Sequence, residues 1–596
     1  MLTVQEKPRP PWSPTQESRF RQTSGPRAAA TRTPQLFLWG LLFVLTLSAI
    51  LYMVLSANWP KFSRAEVFFA ECAREMLRYS NLVTPLYHGK PFFDKPILTY
   101  WLIMAAFKLL GVSHVIARVP SMLAALAAIA GTAVGTALIA NGAAGLLAAM
   151  AVASSFMFLS FAALCMSDML LVCLDTLSLS LLYAGSLSVR RRTLFWWLAA
   201  LSMGLAFLTK GPVGLALPAA SFLIYMAVTR QLGLIRLKHV LLGAATAAVV
   251  ASPWFLAAYQ VNGMGAINYF FVHENLQRFA GSTYDTHRPF WFIVASLFTG
   301  FAPWSIFLPL ALWKSIGKWR NGLTSAESRQ ELYLWLWVAV ITLFFSASRG
   351  KIDYYVLPAY PAAAALTGMY LARSLHSNGR PLVSAGWGLA LGFVVAGLVS
   401  AWFLPLMLPE AATSQWLLVP GSLCIAGLLM ALSTWRRRYF QVYSLAFAGI
   451  CLATIGFGLQ ILPAISDLQP ILSYCAIVRE NPKETRVALY KTLDNWVDEV
   501  TFQTGREPQV LNQVDELAAC LRASEHYLII VPEDKFQELP PDALATLRIL
   551  ESRPFIAHSL NPGFAIKRRG RLFDDVRLLL ISNQAAQPEA ESKPAR

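Results

Sequence analysis

Apolar runs of membrane-spanning length recur along this chain from Leu36 to Leu462, and no other feature restricts its fold as severely. A bilayer offers the backbone no water, so each run has to satisfy its own hydrogen bonds as a helix. About 20 residues are needed to cross roughly 30 Å of hydrocarbon. Of the 596 residues, 56% are hydrophobic and 14% charged, whereas soluble chains sit nearer roughly 45–50% and about 25%. One oversized soluble core is no alternative, because such cores stop growing at roughly 250–300 residues. A soluble globular enzyme is excluded.

About fourteen apolar stretches are present, and one fails on length. Residues 98–110 (LTYWLIMAAFKLL) give roughly 20 Å of helix, which places them at the membrane surface. Thirteen spans remain: 36–56, 115–139, 142–162, 168–188, 194–210, 212–229, 239–259, 290–313, 331–347, 355–373, 384–405, 416–434 and 440–462. With the N-terminus in the cytoplasm, alternation puts Arg190–Arg192, Arg230, Arg236, Lys238, Lys314, Lys318, Arg320 and Arg436–Arg438 inside. Short basic loops on that side are what orients a polytopic protein. Counting 98–110 as a span would move both Arg190–Arg192 and Arg436–Arg438 to the outer side. The surplus of 50 Lys+Arg over 33 Asp+Glu, a net +17, is therefore read as topology and attraction to anionic lipid, not as nucleic-acid binding.

The sequence thus predicts an α-helical polytopic membrane protein of about 13 transmembrane helices with a small C-terminal α/β extramembrane domain. Residues 1–35, rich in Pro, Arg, Ser and Thr, read as a disordered cytoplasmic tail, with 36–56 as an uncleaved anchor. Residues 36–462 form the membrane domain, and 57–114 its first periplasmic loop. In 463–582 charged residues become frequent, and strands are expected at 486–490, 526–531, 555–560 and 576–582 with a helix near 512–523. Residues 583–596 read as a disordered tail. Four of the seven cysteines lie inside apolar runs and show no CxxC spacing. Cys475 and Cys520 lie in the C-terminal region, where an oxidising compartment permits a disulfide that the sequence does not itself pair.

On this topology the acidic, His and Tyr residues needed for chemistry collect on the outer face. The first outer loop reads AEVFFAECAREM, then FFDKP, placing an acid and a base side by side as Asp94-Lys95. Asp168 stands at the outer mouth between two spans, where a carboxylate is expensive unless hydrated or paired. A second loop holds HENLQRF, with His273 and Arg278 near one side of a short helix. The rim SRGKIDYYVLP adds Arg349, Lys351, Tyr354 and Tyr355, and outer basic residues are not explained by topology. Lys210-Gly211-Pro212, at an outer turn, is either a further donor contact or a break between spans, and the break is the favoured reading. Acids beside phosphate-binding cations at headgroup height suit transfer of a group from a lipid phosphate, with a divalent ion on Asp94 and His273 as Lewis acid.

Taken in order, AEVFFAECAREM, FFDKP, SD, HENLQRF and SRGKIDYYVLP resemble the GT-C glycosyltransferases of the ArnT and protein O-mannosyltransferase type, over about residues 36–462. The resemblance implies a polyprenyl (undecaprenyl) phosphate sugar donor, a lipid A or protein acceptor, and an inner-membrane location with a periplasmic active site. It assigns Lys95, Arg278 and Tyr355 to the donor phosphate, Asp94 and His273 to a metal ion, and Glu66 or Asp168 to the acceptor; Lys351 joins the donor set from its place on the basic outer rim. Relatives carry Asp-Glu where this chain has Ala65-Glu66, and Glu-Lys-Pro where it has Asp94-Lys95-Pro96. The competing expectation is a transporter or flippase for a lipid-linked or anionic solute. It requires charges near mid-bilayer and paired broken helices, whereas the charges here gather at one rim.

Overall fold

A computed structural model describes residues 33–59, 61–281, 287–376, 380–407, 416–467, 470–492, 495–536, 547–554 and 577–584. Among these, nine helices are long and apolar enough to cross a membrane. Two bent pairs, Gly142–Ala153 with Phe156–Ala162 and Phe292–Gly300 with Trp304–Trp319, raise the number to eleven if each is one span. The predicted spans near 212–229 and 355–373 are helices Val213–Val228 and Tyr360–His376, shorter at 16 and 17 residues. The chain is thus a multi-pass helical membrane protein. Small residues set the packing. A Cβ on Gly145 would lie 2.5 Å from the Ala133 carbonyl oxygen, so the helices His114–Ile139 and Gly142–Ala153 meet backbone to backbone, as helices in lipid do.

The first outer loop folds against this bundle. Helix α1 (Arg64–Arg78) starts at Ser63 with a reciprocal cap: Ser63 Oγ accepts from Glu66 N at 3.4 Å, and Glu66 Oε2 accepts from Ser63 N at 2.9 Å. A two-residue hairpin, Leu86–Tyr87 with Lys90–Pro91, turns through His88 and Gly89, both at positive φ. Helix α2 spans Leu98–Leu110, the segment whose 13 residues were too few to cross. Its inward face, Tyr100, Ile103, Met104 and Phe107, packs with Phe69, Ala73 and Met76 of α1. The two helices pack on each other, with the outward face of α2 carrying Leu102, Leu109 and Leu110.

The C-terminal region contains helix α3 (Asn495–Thr504) and strands β1 (Arg486–Tyr490), β2 (Gln509–Leu511), β3 (Tyr527–Pro532), β4 (Arg548–Pro554) and β5 (Arg577–Ser582). Their order in the sheet is β2-β1-β3-β5-β4. β1 runs parallel to both β2 and β3, and β5 antiparallel to β3 and β4. β4 and the short β2 were not expected, and the expected strand at 555–560 lies outside the described residues. Alternation along β1 sends Val487 and Leu489 to one core, with Cys475, Trp496 and Val500. It sends Ala488 and Tyr490 to the other, with Leu517 and Cys520. Cys475 and Cys520 therefore lie on opposite faces of the sheet, and both thiols are free.

Helix α3 fastens this domain to the outer loop. Glu499 accepts from Phe62 N at 3.2 Å and pairs with His114 Nε2 at 3.0 Å. Asp498 pairs with His88 Nε2 at 2.8 Å and accepts from the Tyr87 hydroxyl. Phe502 packs edge-on against Phe62, ring centres 4.8 Å apart.

Candidate active site

Five separated segments converge where the outer loop meets the bundle. Asp94 and Lys95 follow the hairpin, and Asp168 opens the helix Asp168–Leu187, where an acid complements the positive end of the helix dipole. Lys210 closes the helix Arg192–Lys210. Glu274 lies in a π-helical stretch, Tyr269–Gln277, that runs directly into Arg278; such widened turns recur at functional sites. Tyr354 and Tyr355 belong to the 3-10 turn Asp353–Ala359.

These segments enclose a cavity of about 330 Å³. Its polar lining includes Asp94, Lys95, Lys210, Glu274, Arg278 and Tyr355, and its apolar walls include Phe270, Phe271, Phe279, Phe344 and Phe345. Lys95 Nζ is 2.8 Å from Asp94 Oδ2, and Arg278 Nη1 stands 3.8 Å from Asp94 Oδ1 and 2.9 Å from Glu274 Oε2. Lys210 is paired with Asp168, and its ammonium lies 5.1 Å from the centre of the Tyr355 ring and 5.7 Å from that of Tyr354. Burial alone would raise the Asp94 pKa, but Lys95, a hydrogen bond with Glu274 and the charge of Arg278 outweigh it and hold the group below the usual carboxylate range. Arg278 is held above its ordinary value: burial opposes this, but Tyr355, Asp94 and Glu274 prevail.

Of the residues expected from sequence, Asp94, Lys95, Arg278 and Tyr355 line the cavity itself, and Asp168 joins it through Lys210. His273 sits at its border, Nδ1 3.0 Å from Glu274 Oε1 and its ring stacked on Tyr269. Lys351 is buried but turns to its own loop, where the ammonium donates to the Ser348 carbonyl. Among the described residues no group of three or more His, Cys, Asp or Glu side chains is set to hold a metal ion. Asp94 instead faces two cations.

Glu66 does not join the cluster. It is fully buried, and Oε1 accepts from Arg118 Nε at 2.8 Å and from Cys165 N at 2.8 Å. Oε2 completes the helix cap at Ser63. Burial raises the Glu66 pKa, but Arg118 and these hydrogen bonds bring it below the ordinary value. Its carboxylate thus fastens the start of the outer loop to Arg118 and to the Cys165 backbone, whereas Asp168 is the acid of the expected pair that reaches the cluster.

Of the cluster, Glu274 was not singled out by the sequence reading, and Lys210 was read by preference as part of a helix break. Lys210-Gly211-Pro212 does break two helices, yet it also delivers Lys210 to the cavity. Gly211 adopts φ +77°, and a Cβ there would meet the Phe270 ring at 2.5 Å, so the turn can seat against the π-helical stretch only as glycine. Glu274 sits four residues before Arg278, the spacing of a helical acid–base pair, and that spacing was the available signal.

Comparison with known proteins agrees with this geometry. Residues 94–256 match the family described as dolichyl-phosphate-mannose-protein mannosyltransferase. An undecaprenyl phosphate-alpha-4-amino-4-deoxy-L-arabinose arabinosyl transferase of Pectobacterium carotovorum is 31% identical over 397 residues, 64% of this chain and 69% of the relative. A protein of the same description from Pseudomonas aeruginosa is 30% identical over 406 residues, covering 67% and 71%. In fold, the chain is similar to the crystal structure of ArnT from Cupriavidus metallidurans bound to undecaprenyl phosphate. The TM-score is 0.69 at 21% identity, covering 92% of this chain and 99% of that one. With the bundle, the outer cavity and these relatives in agreement, the chain belongs to the GT-C glycosyltransferases of the ArnT and protein-mannosyltransferase type.

Proposed function

We propose that this protein transfers a sugar, of the aminopentose class named for its arabinosyl transferase relatives, from undecaprenyl phosphate to a phosphate-bearing envelope lipid such as lipid A. The reaction takes place on the periplasmic side of the inner membrane. The observation that carries this reading is the convergence of Lys95, Arg278 and Lys210 on one apolar-walled cavity beside the outer loop. Cations at an apolar wall neutralise a phosphate far better than they would in water, and phenylalanine walls suit a polyprenyl chain.

In the reaction the bond between the sugar C1 and the donor phosphate oxygen breaks, and its electron pair stays on the lipid phosphate. A new bond forms between C1 and the acceptor oxygen, from the opposite face. Lys95 and Arg278 bind the donor phosphate and stabilise the charge it gains, while Tyr355 helps to orient it. Asp168, fixed by Lys210, positions the acceptor. A hydroxyl acceptor needs a base, but a phosphate acceptor is already an anionic nucleophile. With Glu66 committed to Arg118 and Ala65 lacking a carboxylate, the site suits the phosphate better. A divalent ion on Asp94 and His273 belongs to the same proposal as a Lewis acid, and no step above depends on it; assays with and without chelator separate the two cases.

Lys95→Ala and Arg278→Ala are expected to abolish transfer of sugar to lipid A in membranes while leaving protein abundance unchanged, measured by mass spectrometry of the lipid. Full activity in both variants overturns the donor-site assignment. Loss of a protein-linked glycan instead of a lipid A sugar in a deletion strain overturns the acceptor.

A further inference from the structure

Two arginines at the mouth of the cavity have no part in the donor site. An antiparallel bridge joins His287 to Gly350, and one step along that register Arg288 stands opposite Arg349. Ser348 and Gly350 line the cavity, whereas Arg349 between them is exposed, as is Arg288. The backbone beneath the pair is pinned. Arg349 N donates to the Phe279 carbonyl at 3.0 Å, Ser348 Oγ to the Gly350 carbonyl at 2.9 Å, and the Lys351 ammonium to the Ser348 carbonyl. The two guanidinium groups are less committed. Arg288 Nη1 donates to the His287 carbonyl at 3.0 Å, and among the described residues neither arginine meets a carboxylate. The acid nearest in sequence, Asp353, accepts instead from Tyr354 N. Like charges directly opposite each other on paired strands are destabilising, and outer arginines are not explained by topology. An anion shared between them removes the repulsion.

We propose that Arg288 and Arg349 clamp a second phosphate of the acceptor, so that the preferred acceptor is an envelope lipid bearing two separated phosphates. One phosphate enters the cavity as the nucleophile, and the other stays at the rim. This rests on the phosphate-acceptor reading given above and adds the class of acceptor to it. In that reading the single phosphate of the donor belongs to Lys95 and Arg278 inside the cavity, which leaves the rim pair to the acceptor. Guanidinium forks suit the task, because each presents paired N–H donors to phosphate oxygens and stays charged at any working pH. The rim phosphate takes no part in the bond exchange at C1. It anchors the headgroup, so loss of the clamp appears in acceptor binding and acceptor KM. An exposed pair is also screened, so its contribution shrinks as salt rises.

The test measures binding of lipid A with two phosphates, and of both forms with one, to the full-length protein in detergent micelles, alongside transfer. The wild type is expected to bind the two-phosphate form about tenfold more tightly, by a margin that narrows as salt is raised. Arg288→Gln combined with Arg349→Gln should bind all three forms alike, with a higher KM for the two-phosphate acceptor and unchanged binding of undecaprenyl phosphate. Arg288→Lys with Arg349→Lys keeps the charges without the forks and serves should the glutamine pair not fold. It should retain part of the margin, and retention of the whole counts against the proposal. No preference in the wild type, or the same preference in the glutamine variant, overturns the proposal and leaves the acceptor reading standing. Erasure of the preference by excess phosphatidylglycerol assigns the pair to general leaflet charge and overturns it too. A wild type that neither binds nor glycosylates any form of lipid A overturns the acceptor reading and this inference with it.

Discussion

Arg118 is buried completely, beneath the ring of Phe62, and is satisfied by Glu66 and by the backbone carbonyls of Ser56, Trp59 and Lys61. It ties the end of the first membrane helix to the start of α1. Removing one partner of such a pair leaves an uncompensated buried charge, at about 3–5 kcal/mol. Arg118→Ala is therefore expected to lower the unfolding temperature in detergent by far more than a surface Arg→Ala control. Adding Glu66→Leu should restore only part of the loss, because Cys165 N–H and Ser63 N–H then lack their acceptor. At this scale the sequence was legible wherever a motif set charge against turn residues, as at Asp94-Lys95 and Arg278. It was not legible where function depends on a partner far along the chain. Nothing local to Glu66 reveals its partner Arg118, 52 positions later, and nothing local to Lys210 reveals Asp168, 42 positions earlier.

The elements show the same division. Length, checked against the basic loops, set 98–110 at the membrane surface, and short apolar runs among charged residues marked β1, β3 and β5. The π-helical stretch 269–277 escaped, because no residue pattern in the sequence marks it and the contacts of its Phe270, with Gly211 and Phe255, come from distant segments. The joint between α3 and the hairpin was invisible for the same reason as Arg118. That joint is expected to respond to pH. His88 faces Asp498, Glu507 and Glu71, and its pKa is raised above the ordinary value, chiefly by the hydrogen bond with Asp498, with burial opposing. Its stabilising contribution is complete below the unfolded value of about 6.5 and is lost as pH rises through the higher folded value. Hydrogen exchange in α3 and residues 86–91 is expected to quicken between pH 6 and pH 9, after correction for the intrinsic rate. His88→Ala should flatten that dependence, and a wild-type profile with no slope would refute it.

At the scale of the molecule, the helical bundle supplies a rigid frame, the outer loop brings Asp94 and Lys95 to it, and the C-terminal domain grips that loop through Asp498 and Glu499. The grip places the sheet domain on the same side of the membrane as the cavity. Protease added to intact spheroplasts is expected to release fragments of the region beyond residue 463, and sealed inside-out vesicles should protect it. The reverse pattern would invert the orientation drawn from the basic loops. Overall architecture was legible from hydropathy and charge because the bilayer imposes both. How the sheet domain docks was not, since a few polar contacts decide it.

Five phenylalanines beside three cations also dictate what can poison this cavity. A water-soluble phosphonate would leave the aromatic walls wet, and a plain isoprenoid would offer the ammonium and guanidinium groups no anion to set beside Asp94 and Glu274. An effective antagonist has to be an amphiphile, delivered sideways out of the lipid phase, so its potency will track its concentration in the leaflet rather than in the surrounding buffer.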